Sequence, residues 1–460
     1  MSEPAPHGRA GLARFVVGTG VANGLGLLWS ALVGRWLGAA GSADYFAALF
    51  VLQAVYMAGH PLNGVLARFG AVYRSEGQPR RTLALVRWLF VRAALACVAV
   101  GMVVALTFEA QVAGLHFDDR WALTLGWIGG GVALTLGLLR GALRGVGLLD
   151  ALAVNFNAEA LLRLLIGATL IGALAAWWAS PLASPSLASL PSSGSPSSSP
   201  SLLLPALAGG ESFGLAARAI AAHIAAALVA IGLAAVLLRR RLSAVPGEGA
   251  SPSGLLVDGV AVRALLLGML GLSLADAAWQ NADALIAKHA LADVAAGHYG
   301  AVATLTRLFA VLVQPFALLV IPLLVEAQAK GHGPGRQLGR LVGAFMLLAS
   351  LAVVVLGLLP GEAMTLVFGA EFTAAAPLVL PQALGALACY LAMMLGQAFA
   401  AVGRFGFLAI HVVGLCGLVA LGASVDDGAV LAAGQAAIKG VVLVALVLAW
   451  WRVGRASNRV

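Results

Sequence analysis

Charged side chains are scarce in this sequence. Asp, Glu, Lys and Arg make up 10% of its 460 residues, while 61% of the residues are hydrophobic. Soluble domains carry about 25% charged and about 45–50% apolar residues. A water-soluble fold of this length could not bury so much apolar surface. The composition therefore excludes the soluble classes and indicates a membrane protein.

Cysteines and catalytic motifs are also few. Cys97, Cys389 and Cys416 each lie inside an apolar run, without a partner at metal-ligand or disulfide spacing. The sequence contains no Walker-type phosphate loop, no HExxH and no GxSxG motif. We therefore expect no metal, no cofactor and no ATP hydrolysis by this chain.

Twelve apolar runs are long enough to cross a bilayer, since a membrane-spanning helix needs about 20 apolar residues. They lie at about 12–35, 43–70, 83–108, 121–143, 151–176, 213–238, 259–286, 295–325, 337–359, 377–402, 404–424 and 428–451. The prediction is an all-α polytopic membrane protein with about twelve transmembrane helices.

Basic residues between these runs predict the orientation. One set of connections, with the C-terminal tail, carries nearly all of them: Arg68, Arg74, Arg80, Arg81, Arg140, Arg144, residues 239–241, Lys330, Arg336, Arg340, Arg404, Arg452, Arg455 and Arg459. The opposite set is mostly acidic or neutral, with Arg35, Arg120 and Lys288 as its basic residues. Because cytoplasmic loops are rich in Lys and Arg, we expect both termini in the cytoplasm of a bacterial inner membrane.

Two connections stand out by composition. Residues 239–258 form a basic cytoplasmic linker with six runs on each side, which predicts an N-terminal lobe over 1–238 and a C-terminal lobe over 259–460. Residues 177–212 are a Ser/Pro-rich stretch of low complexity, and we expect a disordered external loop there.

The two halves share a weak internal repeat at a constant offset. Five identities align residues 37–77 with 291–331: Leu37 with Leu291, Tyr45 with Tyr299, Ala47 with Ala301, Pro61 with Pro315 and Gly77 with Gly331. Both copies run in the same direction with the same sidedness. This predicts two six-helix bundles related by a pseudo-twofold axis along the membrane normal.

Proline recurs in the repeated span. Pro61 bends span two, and Pro315 and Pro322 bend span eight, because proline removes a backbone hydrogen bond. Bent helices that face each other can open on one side and close on the other, so these prolines are candidate gating residues. The alternative is that membrane helices tolerate proline without any mechanism.

Ionisable and amide side chains lie at membrane depth, where they are costly. Candidate lumen residues occur as one-face groups on spans five and seven and singly on four other spans: Asn155, Glu159 and Arg163; Asp276, Gln280 and Asp283; Asn23, Gln53, Arg307 and Lys439. Asp276 and Arg307 lie at similar depth on neighbouring antiparallel spans, which predicts a pair. These groups either line a polar lumen for a charged cargo or form structural ion pairs.

Three stretches resemble a known family. DALIAKHALADVAAGHY from Asp283, PFALLVIP from Pro315 and LVFGAEFTAAAPLV at 366–379 are similar to the polysaccharide-transporter branch of the multidrug/oligosaccharidyl-lipid/polysaccharide exporter superfamily, which includes O-antigen flippases. In that branch an Asp on span seven precedes a short outer turn and then Gly and Tyr, here Asp283, Gly297 and Tyr299.

The resemblance implies a fold and a cargo. It implies two six-helix lobes in a V that alternates its opening, and an oligosaccharide on an undecaprenyl diphosphate carrier, moved to the outer leaflet for surface polysaccharide synthesis. Candidate partners are membrane lipids, other polysaccharide-assembly proteins and a coupling ion, H⁺ or Na⁺, and nucleic acid is not expected. A cation-coupled drug exporter of the same fold and a membrane polysaccharide polymerase or ligase remain alternatives.

Overall fold

The computed structural model describes residues 9–75, 78, 81–171, 214–243, 259–307 and 334–457, together with Phe309, Val313, Phe316, Ala317, Val320 and Leu324. Helices account for nearly all of these residues. They are α1 Arg9–Ala58, α2 His60–Ser75, α3 Arg81–Gly114, α4 Arg120–Gly145, α5 Leu149–Leu170, α6 Leu215–Ser243, α7 Gly259–Ala290, α8 Asp293–Thr306, α9 Pro334–Leu358, α10 Pro360–Phe368, a 3₁₀ helix Ala370–Ala375, α11 Ala376–Ala401, α12 Leu408–Gly422 and α13 Gly428–Ser457.

The helices coincide with the predicted spans. Eight helices among the described residues are long and apolar enough to cross a membrane, and the first of them is 50 residues long. That first helix, α1, covers both span one and most of span two. Spans seven and eleven coincide with α7 and α12, and α8 covers the first part of span eight, whose later residues lie mostly outside the described ranges. The fold is therefore the predicted all-α bundle of about twelve transmembrane helices.

Helix α1 turns at Gly38 where the sequence predicted a loop between two spans. Gly38 has φ 68° and ψ −178°, a conformation that residues with a side chain adopt only with strain. A single glycine thus reverses the chain between the two limbs of α1 and leaves the Ala39 amide free of the helical ladder. The Glu371 Oε1 atom accepts this amide hydrogen at 2.9 Å.

Span two is interrupted beside Pro61. Helix α1 ends at Ala58 and α2 begins at His60, with the amides of Leu62 and Asn63 both donating to the Gly59 carbonyl. Pro61 lies in the first turn of α2, where its missing N–H group costs nothing. The bend predicted for this span is therefore at Gly59. Pro315, Pro322 and the loop 177–212 lie outside the described residues.

The two halves meet across a pseudo-twofold axis. Helix α1 packs against α4, α5 and α6 in its own half and against α7 and α8 in the other. At the crossing with α8, Gly300 packs on Phe46 and Arg307 donates to Gln53. Each pair joins positions 254 residues apart, the offset of the internal repeat. Contact between equivalent positions is the mark of a self-complementary, twofold interface.

Helix α6 extends into the segment predicted as the linker between the lobes. Helix α6 continues to Ser243, five residues into the predicted linker, and residues 244–258 lie outside the described ranges. Within the C-terminal half, α13 packs against α11 and α12, and α7 packs against α12. This arrangement encloses the polar groups of α7, α8, α11 and α13 between helices rather than presenting them to lipid.

Candidate functional site

A small polar cavity of about 30 Å³ lies inside the C-terminal lobe. Its polar lining comes from four helices: Gln280 and Asp283 of α7, Thr306 and, next to it, Arg307 at the end of α8, Gln382 of α11 and Lys439 of α13. Apolar and aromatic neighbours, among them Tyr390 and Cys389, complete the wall. A cavity of this volume accommodates one or two water molecules, so the structure is closed around the site.

Asp283 is the acidic group of the cavity. Its Oδ2 atom lies 3.2 Å from the Lys439 ammonium and accepts a hydrogen bond from the Tyr299 hydroxyl at 3.5 Å. Both charged side chains are more than nine-tenths buried. The pair joins α7 to α13 and neutralises both charges, which matters because an unpaired charge at this depth is costly.

Arg307 is bound only by uncharged groups among the described residues. It donates to the Asn281 Oδ1 atom at 2.8 Å and to the Gln53 Oε1 atom, and its guanidinium lies 4.1 Å from the centre of the Phe50 ring. Gln53 and Phe50 belong to the N-terminal lobe. Arg307 is therefore a permanent cation at the interface of the two lobes, held by amides and a ring.

The prediction that Asp276 pairs with Arg307 is wrong. Arg307 donates instead to Asn281, which is one turn further along α7, and to Gln53. Asp276 is 5% exposed and does not line the cavity. Asn281 lies five residues after Asp276, and the rotation of α7 about its axis directs Asn281, not Asp276, towards Arg307.

A second polar cluster lies in the N-terminal lobe. Glu159 accepts hydrogen bonds from Arg140 at 2.7 Å and from Arg163 at 3.0 Å, so one carboxylate bridges two guanidinium groups. Arg140 also donates to Asn155 Oδ1 at 2.8 Å, and Asn155 donates to the Ala230 carbonyl of α6 at 2.7 Å. The cluster carries one net positive charge.

This cluster corrects the placement of Arg140. The charge pattern of the sequence predicts a cytoplasmic loop position for Arg140, yet it is only 4% exposed and lies within α4. Its position inside the apolar run 121–143 was the available signal. Of the other candidates, Gln280 donates to the Met393 sulfur at 3.0 Å, and Asn23 lies in the first limb of α1.

Ion pairs and hydrogen bonds connect the two lobes at the end of the bundle where α1 reverses at Gly38. Lys288 of α7 lies 2.9 Å from Asp44 of α1 and 2.7 Å from Asp293. The Asp44 Oδ2 atom also accepts the amides of Asp118 and Asp119, at 3.1 and 2.8 Å. The sequence placed Lys288 in a loop, whereas its side chain is buried. We call the end with Asp44 and Lys288 the latch end, and its predicted orientation is outward.

Two further contacts close the latch end. Arg35 donates to the Val367 carbonyl at 3.1 Å, and Glu371 binds the freed amide of Ala39. A side chain at Gly297 would have no room, because its Cβ would lie 1.7 Å from the Ala39 carbonyl oxygen. The close approach of α8 to α1 therefore requires glycine at position 297.

Asp119 organises the turn between α3 and α4 at the same end. Its side chain accepts the amide of Ala122 at 3.2 Å as the N-cap of α4 and the amide of Ala217 in α6 at 2.9 Å. Burial raises the pKa of the Asp119 carboxyl above its ordinary value, and the amide hydrogen bonds act against this rise. The residue thus fixes the turn on which Asp44 is anchored.

Comparisons with known proteins identify the fold. No protein-family profile and no curated protein matches the sequence. An inward-facing multidrug resistance transporter of the MATE family and MOP superfamily matches with a TM-score of 0.65 and 13% identity, over 96% of both chains. The lipid II flippase MurJ in an inward closed conformation matches with a TM-score of 0.61 and 11% identity, over 95% of this chain and 87% of that one.

A third similar structure bears on the polarity of the pocket. A MOP superfamily transporter from Pyrococcus furiosus, described as having a binding pocket of reverse polarity that suggests a different function, matches with a TM-score of 0.62 and 14% identity, over 97% of this chain and 96% of that chain. These likenesses show that the chain has the fold of two six-helix bundles in a V, as the sequence predicted. The same fold serves both drug transporters and a lipid flippase.

Proposed function

We propose that this chain is a flippase that moves an oligosaccharide linked to undecaprenyl diphosphate from the cytoplasmic to the outer leaflet by alternating access. The fold supports a transporter, since the similar structures are transporters and a flippase. Because the fold is common to drug export and lipid flipping, the polarity of the site has to distinguish the two.

Arg307 is the observation that carries the proposal. It is a permanent cation at the lobe interface whose described partners are the amides of Asn281 and Gln53 and the Phe50 ring. The one carboxylate that lines the same cavity, Asp283, is already bound by Lys439. Leaving a buried charge without a counterion costs on the order of 3–5 kcal/mol. An anionic cargo would supply that counterion, and a diphosphate fits a guanidinium through two parallel hydrogen bonds.

The N-terminal lobe has the same excess of positive charge. Arg140 and Arg163 share the single carboxylate of Glu159. A lumen formed between the lobes after opening would therefore be basic on both walls. This polarity favours an anion and disfavours a cationic drug, because like charges in a low dielectric repel strongly.

A drug exporter of the same fold is the second candidate, and the MATE transporters among the similar structures favour it. The two candidates differ in the charge of the cargo. An exporter of cations needs a free acidic group at the cavity, whereas Asp283 and Glu159 are both paired with cations and the buried Asp276 does not line the cavity. We therefore rank the flippase first.

Opening is required for either cargo. The cavity of about 30 Å³ is far too small for a glycolipid headgroup. We propose that the lobes 1–238 and 259–460 rock relative to each other on either side of the connection 239–258, with Pro61, Pro315 and Pro322 as candidate bending points. In the proposed orientation both termini lie in the cytoplasm, and the latch end faces outwards. A coupling ion and other polysaccharide-assembly proteins are proposed partners.

Transport in proteoliposomes tests the proposal directly. We expect the full-length protein to expose a fluorescent, diphosphate-linked oligosaccharide to an external lectin. Arg307→Gln should lower the rate roughly 30-fold or more, since the anion loses its charged partner. Arg340→Gln, an exposed arginine of α9, is the matched control and should transport normally. Equal transport by both variants would show that Arg307 does not bind the cargo, and export of cationic dyes without lipid flipping would favour the drug exporter.

A further inference from the structure

Two cations border the cavity, and they differ in what holds them. Arg307 is bound by the uncharged oxygens of Asn281 and Gln53, while Lys439 is bound by the charged carboxylate of Asp283. A carboxylate binds an ammonium more tightly than an amide binds a guanidinium, because both partners are charged. Arg307 can therefore bind an incoming anion directly, whereas the charge of Lys439 is already neutralised by Asp283.

Lys439 has N–H donors beyond the one that binds Asp283. An ammonium group has three N–H donors, and the described hydrogen bond to Asp283 uses one of them. Asp283 in turn has a second partner, the Tyr299 hydroxyl, which also binds Oδ2. The carboxylate therefore keeps a hydrogen bond when the ammonium moves towards an anion in the cavity.

From this geometry we infer that Lys439 is a second binding group for the diphosphate of the cargo and that Asp283 is a built-in competitor for it. The inference rests on the proposed function and adds a specific division of roles. Arg307 binds the anion first, and the anion then draws Lys439 away from Asp283. Asp283 re-forms its ion pair with Lys439 when the cargo leaves, and this favours release of the doubly charged headgroup.

The same competition predicts that the cavity selects a dianion. A singly charged headgroup is satisfied by Arg307 and gains little from displacing Asp283. A diphosphate offers oxygens to both cations, because Arg307 and Lys439 line the same small cavity. The competition thus discriminates against neutral polyprenols and, more weakly, against monophosphates.

Binding measurements on purified full-length protein in nanodiscs test the inference. The probes are undecaprenyl diphosphate, undecaprenyl monophosphate and undecaprenol, titrated against intrinsic tryptophan fluorescence. Asp283→Asn frees Lys439 and should tighten diphosphate binding by at least about tenfold, with little effect on undecaprenol. The same variant should flip the lipid more slowly, because release is impeded. Glu362→Gln, which removes an exposed acidic charge elsewhere, controls for long-range electrostatics and should leave affinity unchanged.

A second pair of variants protects the test against misfolding of Asp283→Asn. Lys439→Met leaves Asp283 facing the cavity uncompensated and should weaken diphosphate binding. Adding Asp283→Asn to Lys439→Met should restore part of that loss, because the competitor is removed together with the cation. Failure of the second substitution to restore binding, or unchanged affinity in a folded Asp283→Asn, would overturn the competition.

The same titrations separate the inference from the proposed function. If wild-type protein binds diphosphate and undecaprenol equally and Arg307→Gln changes nothing, the anionic cargo itself is refuted. A different outcome separates the two: wild type binds the diphosphate more tightly than undecaprenol, this preference is lost in Arg307→Gln, and Asp283→Asn binds the diphosphate no more tightly than wild type. That outcome supports the flippase proposal and contradicts the proposed competition by Asp283.

Discussion

Replacing Gly297 by alanine tests whether the contact between α1 and α8 closes the latch end. The added Cβ would lie 1.7 Å from the Ala39 oxygen, 2.7 Å from its carbonyl carbon and 3.1 Å from Ser42 Oγ. Carbon atoms in contact prefer about 3.5–4.0 Å, so the two helices have to separate by roughly 1.5–2 Å. Backbone atoms of Ala39 cannot move aside as a flexible side chain would. The substitution therefore acts as a wedge between the lobes.

The expected magnitude follows from the cost of overpacking. Inserting a methyl group into a well-packed interface costs about 1–3 kcal/mol. The cost applies only to the state in which the latch end is closed, because separated lobes leave room for the methyl group. The ratio of open to closed protein should therefore rise by about 5- to 150-fold.

Cys389 provides a native reporter of this opening, since it lines the cavity and is 4% exposed. In cells expressing a Cys97→Ala, Cys416→Ala background, a membrane-impermeant maleimide should label Cys389 faster in Gly297→Ala than in the unaltered background. Gly339→Ala, which meets no atom within 4 Å, is the control. Unchanged labelling in a folded Gly297→Ala protein would show that this contact does not close the cavity, and our account of the latch end would be wrong.

Two further substitutions address the ion pairs. Asp44→Asn removes one of the two carboxylates that bind Lys288 and leaves Asp293 in place. The purified protein should therefore melt at a lower temperature, by an amount corresponding to about 1–3 kcal/mol, and its latch end should open more often. The exposed neighbour Asp118→Asn should melt normally, and equal melting of both would contradict the latch. Glu159→Gln leaves Arg140 without its carboxylate and should destabilise the N-terminal lobe by about 3–5 kcal/mol in thermal unfolding; an unchanged melting temperature would mean that the cluster is solvated.

Much of the architecture followed from the sequence because a bilayer makes hydrophobicity decisive. The number and position of the spans were predictable from apolar runs alone, since each must be about 20 residues long. The connection between spans one and two was predicted at this place, but its form was not, because a reversal made by a single glycine leaves no polar loop to detect. A run of small residues between Leu37 and Ser42 looked like an ordinary short connection.

The polar residues of the site were predictable from the sequence, but the ion pairs that they form between helices were not. Helical spacing placed Glu159 and Arg163 on one face, and the structure joins them at 3.0 Å. The partners contributed by other helices, Arg140 for Glu159 and Lys439 for Asp283, depend on how α4 and α13 rotate and pack. Depth along a span can be counted from the sequence, whereas rotation about the helix axis cannot, and this is why Asp276 was assigned to Arg307.

The internal repeat gains a physical meaning from the contacts at equivalent positions. Where positions lie on a twofold axis, each residue meets its own counterpart, so a large side chain in both copies would collide there and a like-charged pair would repel. The chain resolves this by divergence: Phe46 faces Gly300, and the acceptor Gln53 faces the donor Arg307. These positions are where identity between the halves has to be lost if the lobes are to close on each other. Low identity between the halves is therefore expected of an ancestral duplication whose copies pack together, and the cation of the proposed cargo site arises at one such asymmetric position.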